Sequence, residues 1–294
     1  MRNSIKKALS KFSRIFTWSI QWEITAIREF VRDSHRLHVD EYLRKNLYEN
    51  PKYADPKRLG RFEYQVYSQN GEDGIIHEIF KRIGTTNKFF FEFGVESGIE
   101  CNSLALLLAG WQGCWLDGNP AYVRAANKKF AQSVSDKKLE IRETFITAEN
   151  IEELLSSVSA PRDLDLLSID IDGNDYWVWK AISNYSPRVV VIEYNPTFRP
   201  PIEFSMSYDA KKKYSGYSHF GASLKTLELL GSKKGYRLVG CNFHGVNAFF
   251  VREDLVEDRF AAPFTAEHHY EPPRHFAITT FGHKRDFGAF ETPR

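Results

Sequence analysis

The feature that most constrains the fold is a series of short, almost wholly apolar runs that alternate with amphipathic segments from Phe62 onward. Each run has the length of a strand, and each following segment places apolar residues at helical spacing. Strands that are apolar on both faces, separated by helices, are typical of a parallel sheet covered on both sides. The five predicted strands lie at 87–95, 113–119, 139–146, 164–172 and 188–196.

The last two apolar segments, 236–243 and 246–253, predict an antiparallel hairpin around His244 and Gly245. The predicted fold is therefore α/β: a doubly wound, Rossmann-like sheet, mostly parallel, that ends in an antiparallel hairpin. We expect a helical N-terminal extension at 1–60, the sheet domain at 61–260 and an irregular tail at 261–294. In that tail, we expect His268 and His269 to be solvated rather than bound to a metal.

The N-terminal segment is basic and amphipathic, but it lacks the apolar core and cleavage site of a secretory signal. Its apolar residues recur at helical spacing. Two interpretations remain open, namely a helix that packs on the domain or on a second subunit, which we favour, and a helix that lies on an anionic membrane. The residues of the stripe are Ile5, Leu9, Phe12, Phe16 and Ile20.

Composition excludes several classes of protein. A net charge of +2 gives no concentrated basic face for nucleic acid. The three cysteines, Cys101, Cys114 and Cys241, are far apart and form no CxxC pair. This argues against a zinc ribbon or a disulfide framework and is compatible with a reducing cytoplasm, where we expect the protein to be.

Polar residues follow the apolar runs at the ends of the predicted strands. Because ligands of open parallel sheets lie beyond the carboxyl ends of the strands, these residues predict one ligand site. A carboxylate about 20 residues after a glycine turn, as at Asp117, is typical of a ribose contact. The strand-end residues are Glu92, Gly94 and Gly98, then Asp117, Thr144–Thr147, Asp170, Asp172, Glu193 and Asn195.

The order and spacing of these segments resemble the class I S-adenosylmethionine-dependent methyltransferases, and within them the FkbM-like group. The resemblance covers about residues 62 to 252 and rests on "YSQNGEDGIIHEIFKRIG", "EFGVESG", "CWLDGN", "FITAENIEELL", "LDLLSIDIDGNDYWVWKAI" and "VVVIEYNP". The sequence departs from the usual E-x-G-x-G-x-G loop, since Glu96 stands at the middle glycine.

The resemblance implies S-adenosylmethionine as cofactor. Glu92 and Gly94 would contact its amino acid end, Asp117 would hold the ribose hydroxyls, and Thr144–Thr147 would flank the adenine. Further cofactor-binding candidates are Gly98, Asn102, Thr147 and Asp170. The segment 68–70 is a weaker candidate, equally explained as a turn.

The acidic stretch "SIDIDGND" at 168–175 does not fit a calcium loop, because its glycine is fourth rather than sixth. We expect Gly173 and Asn174 to turn the chain and Asp175 to cap the next helix. Resemblance to catechol-type O-methyltransferases implies that a divalent cation, Mg²⁺ or Mn²⁺, is held by Asp172, Glu193 and Asn195. That group has a lysine where this chain has Gly173, so the base comes from elsewhere: His219, His244, or, without a metal, Asp170 or Asp172.

The predicted function is that of an O-methyltransferase, and the family resemblance implies that it acts on a sugar or glycan hydroxyl in surface polysaccharide or natural-product synthesis. A homo-oligomer is among the expected assemblies. The alternative is a non-catalytic binding or assembly protein that keeps the fold and is anchored by its basic helix. An NAD enzyme is disfavoured because G-x-G-x-x-G is absent, and the absence of GxxxxGK[ST] excludes a P-loop enzyme.

Overall fold

The computed structural model describes residues 2–212, 216–277 and 286–288, with side chains described from Thr17 onward except Ser19. The chain divides into two compact units between Asn50 and Pro51. The first unit is helix α1, Arg2–Leu43, followed by one π-helical turn, Arg44–Tyr48. At about 1.5 Å per residue, α1 is roughly 60 Å long.

The second unit is built on a seven-stranded sheet of order β3-β2-β1-β4-β5-β7-β6. The first five strands are parallel, and β7 runs antiparallel to both β5 and β6. This confirms the predicted doubly wound sheet with a terminal hairpin. The strands are β1 (Phe89–Phe93), β2 (Gln112–Asp117), β3 (Leu139–Glu143), β4 (Leu166–Ile169), β5 (Val189–Glu193), β6 (Tyr236–Cys241) and β7 (Asn247–Arg252).

Helices connect the strands and cover the sheet. Helix α2 ends where predicted, since the Gly84 N–H donates to Phe80 O at 2.8 Å with Gly84 at φ +69°. Most of the others are shorter than their apolar patterns, because turns at the strand ends occupy the flanking residues. They are α2 (Glu72–Ile83), α3 (Leu104–Leu108), α4 (Pro120–Lys129), α5 (Ala131–Ser135), α6 (Ile151–Ser157), α7 (Asp175–Ala181), α8 (Leu224–Lys233), α9 (Glu253–Val256) and α10 (Ala266–His269).

Two apolar clusters sandwich the sheet. Alternate residues of β1 enter opposite clusters, with Phe91 and Phe93 in one and Phe90 in the other. Because both faces are buried, the strands show continuous apolar runs rather than an alternating pattern. Among the described residues, every helix is too short or too polar to serve as a membrane-spanning segment.

The ends of the second unit are tied together. The Tyr53 hydroxyl lies 2.7 and 2.8 Å from the two carboxylate oxygens of Glu271, and Tyr194 donates to the Glu271 carbonyl at 2.6 Å. The expectation of a solvated histidine pair is wrong for His269, which is only 4% exposed. Burial, followed by the charges of His268 and Arg58, lowers the pKa of His269 to about 3, so that the ring is neutral.

The turns after β1 and β4 approach each other closely at Gly94. Gly94 adopts φ +77°, and a Cβ placed on it would lie 1.5 Å from the Asp170 carbonyl oxygen. Its N–H donates to Leu116 O at 3.0 Å, which ties the same turn to β2. Only glycine therefore permits the three central strands to end side by side.

We expect Gly94→Ala to lower the free energy of unfolding by more than about 3 kcal/mol, because it adds a backbone clash to an unfavourable φ. Gly235→Ala is the matched control: Gly235 has φ +80°, but nothing lies within 4 Å of its added Cβ. The control should cost only about 1 kcal/mol. Urea unfolding of both variants measures the difference, and equal losses would contradict the close approach.

Candidate functional site

Three carboxyl groups meet where β4 and β5 end. Ile169 and Ile192 are paired neighbours in the parallel register, so the residues that follow them emerge at the same edge of the sheet. Asp170, Asp172 and Glu193 each place one carboxylate oxygen within 4.8 Å of the other two. The structure therefore brings together three of the predicted residues.

No described basic residue neutralises this acidic cluster of Asp170, Asp172 and Glu193: none of the ion pairs found among the described residues includes any of its carboxyl groups. Burial raises the pKa of Asp170 well above its ordinary value, and the charges of Asp175 and Asp172 raise it further. Burial and the charge of Asp170 raise the pKa of Glu193 in the same direction. The cluster therefore favours protons or a cationic ligand.

The oxygen Oε2 of Glu193 is buried and has no hydrogen-bond partner among the described residues. A buried carboxylate oxygen without a donor is costly unless a ligand supplies the missing contact. The carboxylate oxygens of the cluster are hard metal ligands, which suit Mg²⁺ or Mn²⁺. The cluster thus fits a divalent cation both in its donor set and in its unsatisfied atom.

Asp175 holds the turn before its helix instead of capping the helix. Its two oxygens accept the N–H groups of Ile171 at 2.9 Å and Gly173 at 2.8 Å. The expectation of a helix cap is wrong, because the turn between β4 and α7 leaves its own amides nearer to this carboxylate. Burial raises the pKa of Asp175 to about 6. Asp172, at the centre of the turn, adopts φ +55°.

Asp117 stands at the end of β2, next to the glycine turn after β1. Its oxygens accept the Glu96 N–H at 2.8 Å and the Asn119 N–H at 2.7 Å. Each oxygen keeps a second acceptor site, so Asp117 can order the turn and still receive ligand hydroxyls. Glu96 itself is at φ +51°, and burial followed by the Asp117 charge raises the pKa of its carboxyl group.

Glu92 is buried within the protein and serves the fold. Its carboxylate accepts the N–H groups of Asn102 at 2.8 Å and Ser103 at 2.9 Å, and it also contacts the hydroxyls of Ser103 and Ser168. These bonds fix the start of α3 against β1. Its predicted contact with the cofactor has no geometric support, because the described side chains and amides already use both oxygens.

Other predicted residues are engaged elsewhere. The Asn195 amide donates to Ser218 O at 2.7 Å and Phe220 O at 3.0 Å, while its Oδ1 accepts Thr197 N–H at 3.1 Å. Asn195 thus holds the loop after β5, and its proposed role as a metal ligand stays a prediction. The Asn102 amide donates to Ser168 Oγ at 3.1 Å, and the Thr147 N–H donates to Asn150 Oδ1 at 2.9 Å.

The two candidate histidines differ sharply in environment. His244 is 8% exposed; its Nδ1 lies 2.5 Å from Glu63 Oε1, and its Nε2 lies 3.1 Å from Ala277 O. Burial lowers its pKa, but the Glu63 carboxylate outweighs this effect and the net shift is upward. His219 is exposed and meets the Phe204 ring edge-on at 6.3 Å between centroids. Neither arrangement singles out a base.

A wall of buried amides and one carboxylate is formed by Asn70, Glu72, Asn242 and Asn247, of which the sequence indicated only Asn70, as a weaker candidate. Glu72 accepts the Asn247 amide at 2.9 Å and the Asn70 N–H at 2.8 Å. Asn247 is paired with Glu193 across β5 and β7, and the Glu72 charge helps to raise the pKa of Asp170, so this amide wall adjoins the acidic cluster. The only local signal was the polar stretch "SQNGED".

The long loop between β5 and α8 covers the turn after β4. The Asn174 amide donates to Asp209 O at 2.8 Å, and the Trp177 indole donates to Met206 O at 2.8 Å. A Cβ on Gly173 would lie 3.3 Å from the side chain of Lys212. These contacts hold the described part of the loop against the turn that carries Asp172.

No family profile matches this chain, and no curated protein matches it. Solved structures with a similar fold include the N-terminal domain of EvdMO1 with SAH bound, at 14% identity and a TM-score of 0.40, covering 68% of this chain and 84% of that one. A second structure of that domain, in the presence of SAH and D-fucose, has 14% identity and a TM-score of 0.39, with 71% and 94% coverage.

A third is magnesium protoporphyrin IX methyltransferase (ChlM) from Synechocystis PCC 6803 with bound SAM, at 11% identity and a TM-score of 0.42, covering 74% of this chain and 97% of that one. At these identities the likeness concerns the fold alone, because one fold supports many functions.

We expect Asp172→Asn to stabilise the ligand-free protein, and to do so more at pH 8 than at pH 5. Burial raises the folded-state pKa of Asp172, so its contribution to stability is present below the ordinary carboxyl pKa and is lost as pH rises through the raised value. Removing the charge of Asp172 also lowers the electrostatic repulsion that Asp170 and Glu193 experience. After allowance for screening by solvent, the gain at pH 8 is about 1 kcal/mol.

Calorimetric melting of the wild type and the variant at both pH values measures this effect. Because asparagine also tolerates positive φ, a pH-independent gain would point to backbone conformation and would contradict the proposed repulsion.

Proposed function

We propose that the protein transfers a methyl group from S-adenosylmethionine to a hydroxyl group of a sugar or glycan. The observation that carries this proposal is the acidic cluster at the carboxyl edge of a doubly wound sheet, which no basic side chain in the described part of the chain neutralises. S-adenosylmethionine brings a sulfonium and an ammonium charge, both of which such an edge attracts. The pyrophosphate of a dinucleotide would be repelled by the same carboxyl groups.

The turn after β1 and the end of β2 suit the nucleoside part of the cofactor. Asp117 keeps acceptor capacity on both oxygens for the two ribose hydroxyls, and its bond to the Glu96 N–H holds it against the turn. At Gly98, an added Cβ would lie 2.6 Å from the Trp115 ring, so glycine lets the turn pack closely on the core. The resemblance to methyltransferases assigns the same roles to this region.

The acidic cluster suits the end of the cofactor that carries the reacting methyl group. In the proposed reaction, the acceptor oxygen forms a bond to the methyl carbon, the carbon–sulfur bond breaks, and the hydroxyl proton passes to a carboxylate. Asp170 and Asp172 are the proposed bases, because burial raises the pKa of each carboxyl group and so increases its affinity for a proton. If these carboxylates instead hold a divalent cation together with Glu193, the cation would lower the pKa of the acceptor hydroxyl, and Asp170 and Asp172 would serve as its ligands rather than as bases.

A polyhydroxylated acceptor is supported by the acceptor atoms near the cluster. The side-chain oxygens Asn70 Oδ1, Asn247 Oδ1 and Glu193 Oε2 are buried and lack donors among the described residues. A sugar supplies several O–H donors in a small volume.

We expect the intact protein to bind S-adenosylhomocysteine and S-adenosylmethionine in calorimetric titrations, and to show no detectable binding of NAD⁺. Asp117→Ala should weaken binding at least about tenfold, roughly 1.4 kcal/mol, through loss of the ribose contacts. Glu143→Ala is the control, because Glu143 pairs with Asp117 in the register of β2 and β3 but is exposed. Its affinity should match the wild type.

Absence of any binding by the intact protein would refute the methyltransferase function. If the cofactor binds, a methyl-transfer screen over neutral sugars, glycans and sugar nucleotides, with and without Mn²⁺, tests the acceptor class and the role of the metal.

A further inference from the structure

The N-terminal half of α1 carries charge of only one sign. Between Arg2 and Trp22 the charged residues are all basic, whereas Glu23–Leu43 contains five acidic and three basic residues. Because the helix is continuous through both halves, this division of charge is fixed along one rod. The basic residues of the first half are Arg2, Lys6, Lys7, Lys11 and Arg14.

The same half has a broad apolar face. At about 100° per residue, its large apolar residues and Trp22 fall within an arc of about 160°, and most of the basic residues fall opposite. A coiled-coil partner needs only a narrow seam at two positions of each heptad, so this arc is wider than a second copy requires. The residues on the arc are Ile5, Leu9, Phe12, Ile15, Phe16, Ile20 and Trp22.

Two tryptophans stand where the apolar arc meets the basic side. The side chains of Trp18 and Trp22 are 70% and 65% exposed, and Ile20 between them is 40% exposed. Indole rings have an apolar body and a polar N–H, which suits the boundary between lipid headgroups and acyl chains.

We infer that residues 2–22 of α1 lie on an anionic membrane surface, with the apolar arc in the outer part of the lipid layer and the basic residues among the headgroups. A second copy of the chain is a poorer occupant: parallel pairing would bring two wholly basic segments together, and the arc is wider than the seam that an antiparallel pair requires. The attraction is to the charge of the lipid, so the binding must depend on anionic headgroups and fall as salt rises.

The test is co-sedimentation of the intact protein with phosphatidylcholine vesicles that contain or lack phosphatidylglycerol. We expect binding to the anionic vesicles only, and release when the salt concentration is raised. Equal binding to both kinds of vesicle, or binding to neither, would overturn the inference.

Two charge variants locate the contact. Lys7→Gln/Lys11→Gln/Arg14→Gln should reduce partitioning on the order of 100-fold, since each basic residue near the surface contributes about fivefold. Arg28→Gln/Arg32→Gln/Arg36→Gln removes the same number of charges from the other half and should leave partitioning nearly unchanged. Equal losses in the two variants would contradict a contact confined to residues 2–22.

A third variant, Trp18→Ala/Trp22→Ala, separates lipid from protein as the occupant. We expect weaker vesicle binding and the same sedimentation-equilibrium mass as the wild type, with helix content checked by circular dichroism. A fall in mass with unchanged vesicle binding would show that the face contacts a second copy, which would overturn the inference.

Discussion

The candidate site depends on one electrostatic constraint, the cost of holding several partly buried carboxyl groups close together. Asp170, Asp172 and Glu193 lie within 4.8 Å of one another, and burial raises the pKa of each. Such a cluster persists only because the sheet beneath it is fixed by apolar packing on both faces. A cationic ligand would relieve the repulsion among these carboxylates, and the free energy that the repulsion costs the empty site would then add to the affinity for the ligand.

The sheet was predictable from the sequence because each of its determinants is local. The apolar runs, the glycine at the end of α2 and the hairpin around Gly245 act over a few residues and appear in the order of the chain. The acidic cluster was predictable for a similar reason, since the parallel strands carry their final residues to one edge. Its main members, Asp170 and Glu193, followed from strand assignment alone.

The partners of the polar side chains could not be predicted in the same way. Whether Glu92 or Asn195 faces a ligand depends on donors and acceptors supplied by distant turns, and those turns satisfy both residues internally. His244 likewise contacts the carboxylate of Glu63, which lies near the opposite end of the domain in sequence. A polar residue at a strand end therefore predicts where its side chain lies, but not whether that side chain bonds to a ligand or to the rest of the protein.

The contacts that close the second unit join its two ends in sequence. Tyr53 meets Glu271 across 218 positions, and Asn247 meets Glu72 across 175. During synthesis the central strands emerge long before the residues that complete the amide wall beside the cluster. The growing chain therefore exposes its acidic edge, without Asn247 and its neighbours, until translation of the domain is almost complete. The site is therefore completed only towards the end of synthesis of the domain.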